Sequence, residues 1–480
     1  MVTWQDFIAV IPVLTVVLAA CTVLLAESFR RRHEQMPLGL LASIGLVGAI
    51  VESYLLWGSH FTGFGVIVID NYSLFFNIML AGVGLLTVLL SAGPAAQDHL
   101  PEGEYYALML FSVSGMMLMA ATNDLLIIFI ALEIMSLGVY VLTGIKRTSE
   151  AGAEAAFKYF VLGAFSSAFF LYGIALAYAA TGTTRLTEIG LHVASTALEP
   201  GLLLVLAMVL LLVGFAFKVS AVPFHMWTPD AYQGAPTLVT GFMSTGVKAA
   251  AFAAFLRVFL SSLEPLRVEW LPIVSAVAGL TMIVGTVVGV AQSSVKRMLA
   301  YSSIAHAGFL LLGIAAASSA GKASILFYLV AYGVTNLGAF GVLAVLATND
   351  RPHDEVRDFA GLAYEKPGLA GLLTVFLLSL GGFPPTVGFV AKWYIISAAV
   401  QEDLISLAIL AVLTSVISVF FYLRIVVQMY MVDDKAPAHR PAVSKVALAG
   451  IVLALVAVFY LGIVPGELMA VAADSVSSIF

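Results

Sequence analysis

The chain has 480 residues, of which 61% are hydrophobic and 10% charged, and its mean hydropathy is +1.05. Soluble domains carry about one-quarter charged residues, so this composition excludes an ordinary soluble globular protein and predicts a polytopic membrane protein. The net charge of −6 says little, because the positions of charges matter more in a membrane. The single cysteine, Cys21, excludes intrachain disulfides and cysteine-ligated iron–sulfur or zinc sites.

Apolar windows of about 20 residues predict an all-α fold of about fourteen transmembrane helices with short connections and no soluble domain. The windows are 7–26, 38–57, 71–91, 105–121, 125–144, 155–180, 201–226, 236–260, 271–291, 298–316, 323–348, 368–400, 404–431 and 446–465. No basic region precedes the first window, which favours a retained span over a cleaved signal peptide. The longest predicted loops are 181–200 and 349–367.

Lysine and arginine residues concentrate in alternate loops. One set contains Arg30, Arg31, Arg32, Lys146, Arg147, Lys296, Arg297, Arg351, Arg357, Lys366, Lys435, Arg440 and Lys445. The opposite set contains Arg185, Arg267 and Lys322. The positive-inside rule therefore places the first set in the cytoplasm, or in the matrix of an organelle. An even number of spans then places both termini on the outer side.

Two of the spans are interrupted. Pro223 breaks the seventh span, and the run Gly381-Gly382-Phe383-Pro384-Pro385 breaks the twelfth. Backbone groups freed in lipid need partners in protein or water, so such breaks mark cavities, and a matched pair of them indicates an inverted-repeat transporter. The alternative is two proline kinks without a pathway. Span order predicts two inverted five-helix repeats, spans 4–8 and spans 9–13. The chain is thereby divided into an N-terminal three-helix segment (1–100), the first repeat (101–265), the second repeat (266–435) and a C-terminal helix (436–480).

Four ionisable residues lie within otherwise apolar spans: Glu133, Lys218, Lys248 and Lys392. A charge near the bilayer centre costs about 2.5–3.5 kcal/mol on insertion scales, so these residues indicate an ion or proton path. Lysine exchanges protons but does not coordinate metal cations, which favours protons. Lys248 lies roughly 18 Å into its span, and its alternative is a neutral or packing role in the core. The alternative for Lys218 and Lys392, which flank the breaks, is snorkelling to the interface.

Glu133 needs a partner, and a lysine from another span is the expected one. Making and breaking a Glu133–Lys218 contact would load and unload a proton. His225 and His306 are candidate relays, and each has the alternative of being a hydrogen-bonded core histidine. Lys158 is either a proton-uptake residue or an ordinary interface charge. Residues expected to stabilise helix ends are Asp124, Asp230, Lys296 and Tyr301.

The segment FKVSAVPFHMWTPDAYQGAPTLVTGFMSTGVKAAAF closely resembles the signature of the antiporter-like membrane subunits of respiratory complex I. The HMWTPDAYQGAPT, KRMLAYSSIAHAGF and GGFPPTVGFVAKW runs are most similar to the N subunits, equivalent to mitochondrial ND2. The resemblance covers nearly the whole chain and implies fourteen helices, two inverted repeats and a half-channel in each. It also implies that Glu133 and Lys218 form the coupling pair, Lys248 is the central relay and Lys392 lies nearer the exit.

Departures from the related L and M subunits favour the N type. M subunits typically carry glutamate at the position of Lys392, and L subunits continue into a long lateral helix that nothing after residue 465 could form. His306 stands where N subunits commonly have a different polar residue, so the resemblance implies no role for it.

The resemblance implies a proton-translocating subunit of a bacterial-type NADH:quinone oxidoreductase in the bacterial inner membrane. It implies no cofactor or metal in this chain, with NADH, FMN, iron–sulfur clusters and quinone in other subunits. Neighbouring antiporter-like and small membrane subunits are the expected partners, besides lipid, and no nucleic acid is expected. The alternatives are a homologous subunit of a cation/proton antiporter or membrane-bound hydrogenase, a stand-alone transporter of an anionic solute, and a structural scaffold.

Overall fold

A computed structural model describes residues 3–29, 37–93, 100–196, 201–347, 354–432 and 443–479. Several residues used to predict the orientation lie outside these ranges, namely Arg30, Arg31, Arg32, Arg351, Lys435 and Arg440. The proposed boundary at residues 435 and 436 lies outside them as well.

Three helices and a small hairpin form the N-terminal segment. They are α1 (Trp4–Phe29), α2 (Leu38–Leu55), β1 (Phe61–Gly63), β2 (Ile67–Ile69) and α3 (Asn71–Ser91). The two strands pair antiparallel, with Phe61 opposite Ile69. The Asp70 side chain accepts a hydrogen bond from Ser73 N and the Ser73 hydroxyl accepts one from Asp70 N, which forms a capping box at the start of α3.

The next helices form the first five-helix unit. They are α4 (Glu102–Ala120), α5 (Leu125–Thr143), α6 (Glu150–Thr181), α7 (Leu186–Thr196), α8 (Leu202–Lys218), α9 (Trp227–Gly234) and α10 (Thr237–Ser262). The short helix α7 occupies most of the predicted loop 181–200. It buries Leu186, Ile189 and Val193 on one face and is therefore amphipathic. A search for continuous apolar windows does not detect a short amphipathic helix of this kind.

A second five-helix unit follows. It consists of α11 (Arg267–Val290), α12 (Val295–Ala316), α13 (Ser319–Leu346), α14 (Pro367–Gly381), α15 (Val387–Gln401) and α16 (Ile405–Met431). Between α13 and α14 the chain forms a 3-10 turn at Val356–Phe359 and one helical turn at Leu362–Glu365. The chain ends with α17 (Lys445–Ile463) and α18 (Gly466–Ser477).

The two units have the same order of elements, in agreement with the predicted pair of repeats. In each unit the third helix is the longest, with 32 residues in α6 and 28 in α13. The fourth helix is broken in each, as α8–α9 and as α14–α15. The described residues contain eleven helices that are long and apolar enough to cross a membrane, and the broken spans contain three shorter apolar helices. The three shorter helices belong to two broken spans, α8–α9 and α14–α15. These two spans, the eleven long helices and the 19-residue α4 make up the fourteen predicted spans.

Burial identifies the centre of the protein. The membrane windows of α10, α12 and α13 are 100%, 94% and 89% buried, whereas those of α1 and α17 are each 28% buried. A helix that is buried on all sides has protein neighbours on all sides, so α10, α12 and α13 form the core. Lys248 and His306 lie on two of these central helices.

Candidate functional site

The first break begins directly after Lys218. Helix α8 ends there, Ser220 has a positive φ of 65°, and the chain becomes helical again at Trp227, which lies beyond the predicted window 201–226. The Phe217 carbonyl accepts a hydrogen bond from Trp227 Nε1 at 3.0 Å, and Val222 N donates to Thr281 Oγ1 at 2.9 Å. Backbone groups at the break therefore find partners within the protein, as lipid requires.

Lys218 is buried, with 2% of its surface exposed, so it does not snorkel. Its Nζ donates to Ser136 Oγ at 2.7 Å and to the Tyr140 hydroxyl at 3.2 Å, both on α5. The position at the C-terminal end of α8 also favours a positive charge, because the last carbonyl groups of a helix carry partial negative charge.

Glu133 does not contact Lys218 in this structure. The Glu133 carboxylate accepts a hydrogen bond from Ser167 Oγ of α6 at 2.5 Å. Within the described residues, no hydrogen bond or ion pair joins Glu133 to Lys218. The expected lysine partner of Glu133 is thus replaced by a serine, and Lys218 binds Ser136, which lies one helical turn farther along α5. In this structure Glu133 and Lys218 therefore have separate hydrogen-bond partners.

Lys248 follows the π-helical stretch Met243–Val247 of α10, a local irregularity of the kind that is frequent at functional sites. It is 1% exposed. Its Nζ lies 2.5 Å from both the carbonyl oxygen and the hydroxyl of Ser303 on α12, and 5.8 Å from the centre of the Tyr332 ring on α13. All of these partners are uncharged.

Lys392 lies in the second turn of α15, and its side chain reaches back to the second break. Its Nζ donates to the Gly381 carbonyl at 3.0 Å and to Ser415 Oγ at 2.9 Å. Gly381 is the last residue of α14, so Lys392 satisfies a carbonyl group that the break leaves free. Gly382 has a φ of +88°, and a Cβ at this position would lie 3.0 Å from Lys392 Cδ. The lysine is therefore packed tightly against the break rather than extended to the interface.

His306 is the centre of a hydroxyl network. Its Nδ1 lies 2.6 Å from the Tyr328 hydroxyl, and its Nε2 lies 3.4 Å from the Tyr422 hydroxyl. Tyr422 in turn lies 2.5 Å from Ser302 Oγ. Both ring nitrogens thus face groups that can donate or accept a proton, as a relay requires.

Two aromatic rings connect His306 to two of the lysines. Tyr332 lies 5.0 Å from the His306 ring and 5.8 Å from Lys248 Nζ. Phe309 lies 6.3 Å from the His306 ring and 5.3 Å from Lys392 Nζ. His306 therefore shares one aromatic neighbour with Lys248 and another with Lys392 in the buried part of the protein.

His225 is placed differently. It lies in the first break, and its buried Nδ1 has no hydrogen-bond partner in the part of the chain that the structure describes. Among those residues no hydrogen bond joins its ring to Lys218 or Lys248, whose partners are Ser136 and Tyr140 in one case and Ser303 in the other. A relay role for His225 stays a prediction.

Lys158 lies in an exposed ion network. Its Nζ is 2.7 Å from Glu154 and 3.1 Å from Asp230, and Asp230 is also 2.7 Å from Arg297. Through Asp230 the network joins α6, α9 and α12, which belong to both five-helix units. A proton-uptake role for Lys158 stays a prediction.

Two predictions about helix ends are confirmed. Asp124 caps α5 by accepting from the backbone N–H groups of Leu126 and Ile127, and Lys296 Nζ donates to the Ala235 carbonyl at the end of α9.

Sequence reasoning missed the neutral partners of the lysines. Their helical spacing was a usable signal, because Ser136 and Tyr140 follow Glu133 by three and seven residues and share its helix face. Ser302 and Ser303 precede His306 by one turn in the same way. The hydroxyls missed were those of Ser136, Tyr140, Ser302, Ser303, Tyr328, Ser415 and Tyr422.

A buried ion pair was also missed. Arg257 of α10 binds Asp70 through its two terminal guanidinium nitrogens, at 3.0 and 3.2 Å, and both side chains are about 5% exposed or less. The guanidinium carbon lies 5.0 Å from the centre of the Tyr72 ring. This pair joins the cap of α3 to the helix that carries Lys248. The described residues contain no group of three or more His, Cys, Asp or Glu side chains that could hold a metal ion.

The family described as NADH:quinone oxidoreductase/Mrp antiporter, TM, matches residues 122–418. NADH-quinone oxidoreductase subunit N of Trichlorobacter lovleyi is 43% identical over 443 residues, which cover 92% of this chain and 91% of the relative. The chain belongs to the NADH-quinone oxidoreductase subunit N family. The predicted resemblance is thereby confirmed, and the N type is favoured over the antiporter and hydrogenase alternatives.

Two solved structures share the fold. A chain of Thermus thermophilus respiratory complex I with bound aureothin is 35% identical, with a TM-score of 0.81 over 96% of this chain and 99% of that one. A chain of the membrane-bound sulfane sulfur reductase, an archaeal respiratory membrane complex, has a TM-score of 0.84 over 98% and 97% of the two chains. At 24% identity the latter shows a shared fold only.

Proposed function

We propose that this chain translocates protons as a membrane subunit of an NADH:quinone oxidoreductase, driven by quinone reduction elsewhere in the complex. The observation that carries the proposal is the buried set Lys248, His306 and Lys392, in which the Tyr332 ring lies near Lys248 and His306 and the Phe309 ring near His306 and Lys392. Ionisable residues are costly in a membrane core, and a series of them with neutral partners suits proton transfer better than structural pairing.

In the first half, the proton is carried by Lys218. The lysine is charged while it contacts Glu133, because a carboxylate stabilises the ammonium group. When the pair separates, as in the arrangement seen here, that stabilisation is lost and the proton passes toward Lys248. His225 is a candidate carrier for this step, together with water.

In the second half, Lys248 passes the proton through water and His225 or His306 to Lys392, for release at the outer face. The His306 ring suits this step because both of its nitrogens face hydroxyl groups, of Tyr328 and Tyr422. Lys392 lies at the second break, where the chain leaves the helical pattern and water can enter.

Uptake takes place on the side rich in lysine and arginine, which we assign to the cytoplasm of a bacterium, with Lys158 as the candidate uptake residue. Both termini then lie on the outer side of the inner membrane. We also propose that NADH, FMN, the iron–sulfur clusters and quinone bind other subunits, so this chain carries out no redox chemistry. Its partners are the neighbouring antiporter-like and small membrane subunits.

The test is proton pumping by the whole complex in sealed vesicles, with NADH–quinone electron transfer followed in parallel. We expect Lys218→Ala to abolish both activities in a complex that still assembles, because the proton step and electron transfer are coupled. Normal pumping and normal electron transfer in this variant would contradict the proposal.

A further inference from the structure

Lys218 has several partners other than Glu133. Two hydroxyl oxygens, Ser136 Oγ and the Tyr140 hydroxyl, accept from its Nζ at 2.7 and 3.2 Å. Three aromatic rings lie within 6 Å of the same nitrogen: Tyr140 at 5.3 Å, Phe217 at 5.8 Å and Tyr159 at 5.9 Å. Hydroxyl oxygens and aromatic rings both attract an ammonium group, and they do so without carrying a charge.

These partners are held rigidly. The Tyr140 and Tyr159 rings meet edge to face at 4.6 Å, and Tyr159 stacks on Trp227 at 4.3 Å with an interplanar angle of 3°. The Tyr140 hydroxyl fits into a notch at Gly163 of α6, where a Cβ would lie 2.0 Å from the oxygen. A side chain that fills a notch made by a glycine has little freedom to turn, so the hydroxyl is fixed in place for Lys218.

Glu133, Ser136 and Tyr140 lie along one face of α5, at positions i, i+3 and i+7. The carboxylate and the two hydroxyls are thus successive positions on a single helix face. Lys218 has a long, flexible side chain that can reach more than one of them. We propose that Ser136 and Tyr140 form a second docking station for the Lys218 ammonium group, which holds the lysine away from Glu133 between proton-transfer steps. This inference rests on the proposed proton-transfer role of Lys218.

Three charged groups elsewhere in the first unit have other partners. Glu133 binds Ser167, Lys248 binds Ser303, and Asp230 binds Lys158 and Arg297. Of the other titratable side chains, Tyr159 has its ring 5.9 Å from Lys218 Nζ and His225 lies in the break that follows Lys218, whereas α11 carries none after Glu269. Among the described residues, the hydroxyls of Ser136 and Tyr140 are therefore the polar groups in direct contact with the Lys218 ammonium group.

The test is the pH profile of coupled proton pumping by the whole complex in sealed vesicles, for Tyr140→Phe and for Ser136→Ala. Each variant removes one oxygen that stabilises the ammonium form in the separated arrangement. Loss of a hydrogen bond to a charged group changes an equilibrium constant roughly tenfold. We therefore expect the alkaline limb of the pH profile of proton pumping to move to lower pH by about one unit. The readout is the pH dependence rather than the rate at one pH, because a loss of packing alone would lower the rate equally at all pH values. The matched control is Tyr105→Phe, which removes a buried tyrosine hydroxyl that contacts Ser91 and no lysine.

A double-variant experiment separates a docking station from simple packing. With Glu133→Gln in place, the station is the main remaining partner of Lys218, so Tyr140→Phe should lower the rate more than it does in the unmodified complex. Effects that are independent of Glu133, or a uniform decrease at all pH values, would show that Tyr140 acts only through packing and would overturn the inference. Unchanged profiles for both Tyr140→Phe and Ser136→Ala would also overturn it.

The two proposals fail in different ways. If Lys218→Ala abolishes pumping while Tyr140→Phe and Ser136→Ala change nothing, only the docking station is rejected. If Lys218→Ala leaves pumping intact, the proton-transfer role and the docking station are rejected together.

Discussion

Lys248 and Ser303 join the two five-helix units at the centre of the protein. Lys248 lies on the last helix of the first unit and Ser303 on the second helix of the other, and the lysine nitrogen is 2.5 Å from both oxygens of the serine. A proton that reaches Lys248 has therefore arrived at the contact between the two units. This makes Lys248 the position at which transfer between the halves can be tested most directly.

We expect Lys248→Ala to lower proton pumping about 100-fold or more, because general acid–base groups contribute on this scale. The measurements are the rates of proton pumping and of NADH–quinone electron transfer in sealed vesicles. The control is Lys445→Ala, which removes an exposed lysine at the start of α17. An unchanged rate of proton pumping in Lys248→Ala would exclude the lysine from the relay.

We expect Tyr422→Phe to slow pumping several-fold while the complex assembles normally. The change removes the hydroxyl that lies between Ser302 and His306 but keeps the aromatic ring that packs on Phe421. The control is Tyr364→Phe, whose hydroxyl contacts a backbone carbonyl at an exposed position. If both variants behave like the unmodified complex, the His306 network takes no part in the rate-limiting proton transfer.

Gly382→Ala should impair the second break. The residue adopts a φ of +88°, where alanine costs about 1–2 kcal/mol, and the added Cβ would press on Lys392. The control is Gly371→Ala in α14, where a Cβ meets no atom within 4 Å and alanine favours the helix. Pumping and the yield of assembled complex are measured for both, and only Gly382→Ala should lose pumping. Equal activity in the two variants would mean that the break tolerates a displaced lysine.

The Asp70–Arg257 pair should contribute to stability. Removing one partner of a buried ion pair typically costs about 3–5 kcal/mol, because it leaves the other charge unpaired. We expect Asp70→Asn and Arg257→Gln each to lower the heat resistance of the detergent-solubilised complex. The double variant Asp70→Leu/Arg257→Met should recover much of the loss. The control, Arg185→Gln, breaks an exposed pair with Glu188 and should have little effect. A double variant as unstable as the worse single variant would contradict this account.

Much of the fold could be predicted from the sequence because lipid imposes strict rules on composition and length. All fourteen windows contain helices, and both breaks lie at the expected glycine and proline residues. The hairpin β1–β2 and helix α7 were not predicted, since they are short elements outside the spans and carry no long apolar run. Contacts with loops that are distant in sequence stabilise these elements. For example, Val68 N of β2 donates a hydrogen bond to the Ala121 carbonyl.

The candidate site could be predicted only in part. Burial of Lys218, Lys248 and Lys392 was expected from their apolar surroundings, and the structure shows each of them buried. The partner of Lys218 was not predictable, because Glu133 and Ser136 differ by a single helical turn and a lysine can reach either. Similarly, the contacts of His306 depend on how three helices rotate about their axes, and hydropathy fixes the depth of a helix rather than its rotation.

Each of the three lysines is hydrogen-bonded to a serine hydroxyl: Ser136, Ser303 and Ser415. A hydroxyl can accept from an ammonium group and, after rotation, donate to a neutral amine, so the same geometry suits the lysine before and after it gives up its proton. These contacts can therefore form on either side of a transfer step. We expect the assembled complex to impose the direction of transfer, and a sufficiently large opposing proton gradient to drive the same residues in reverse.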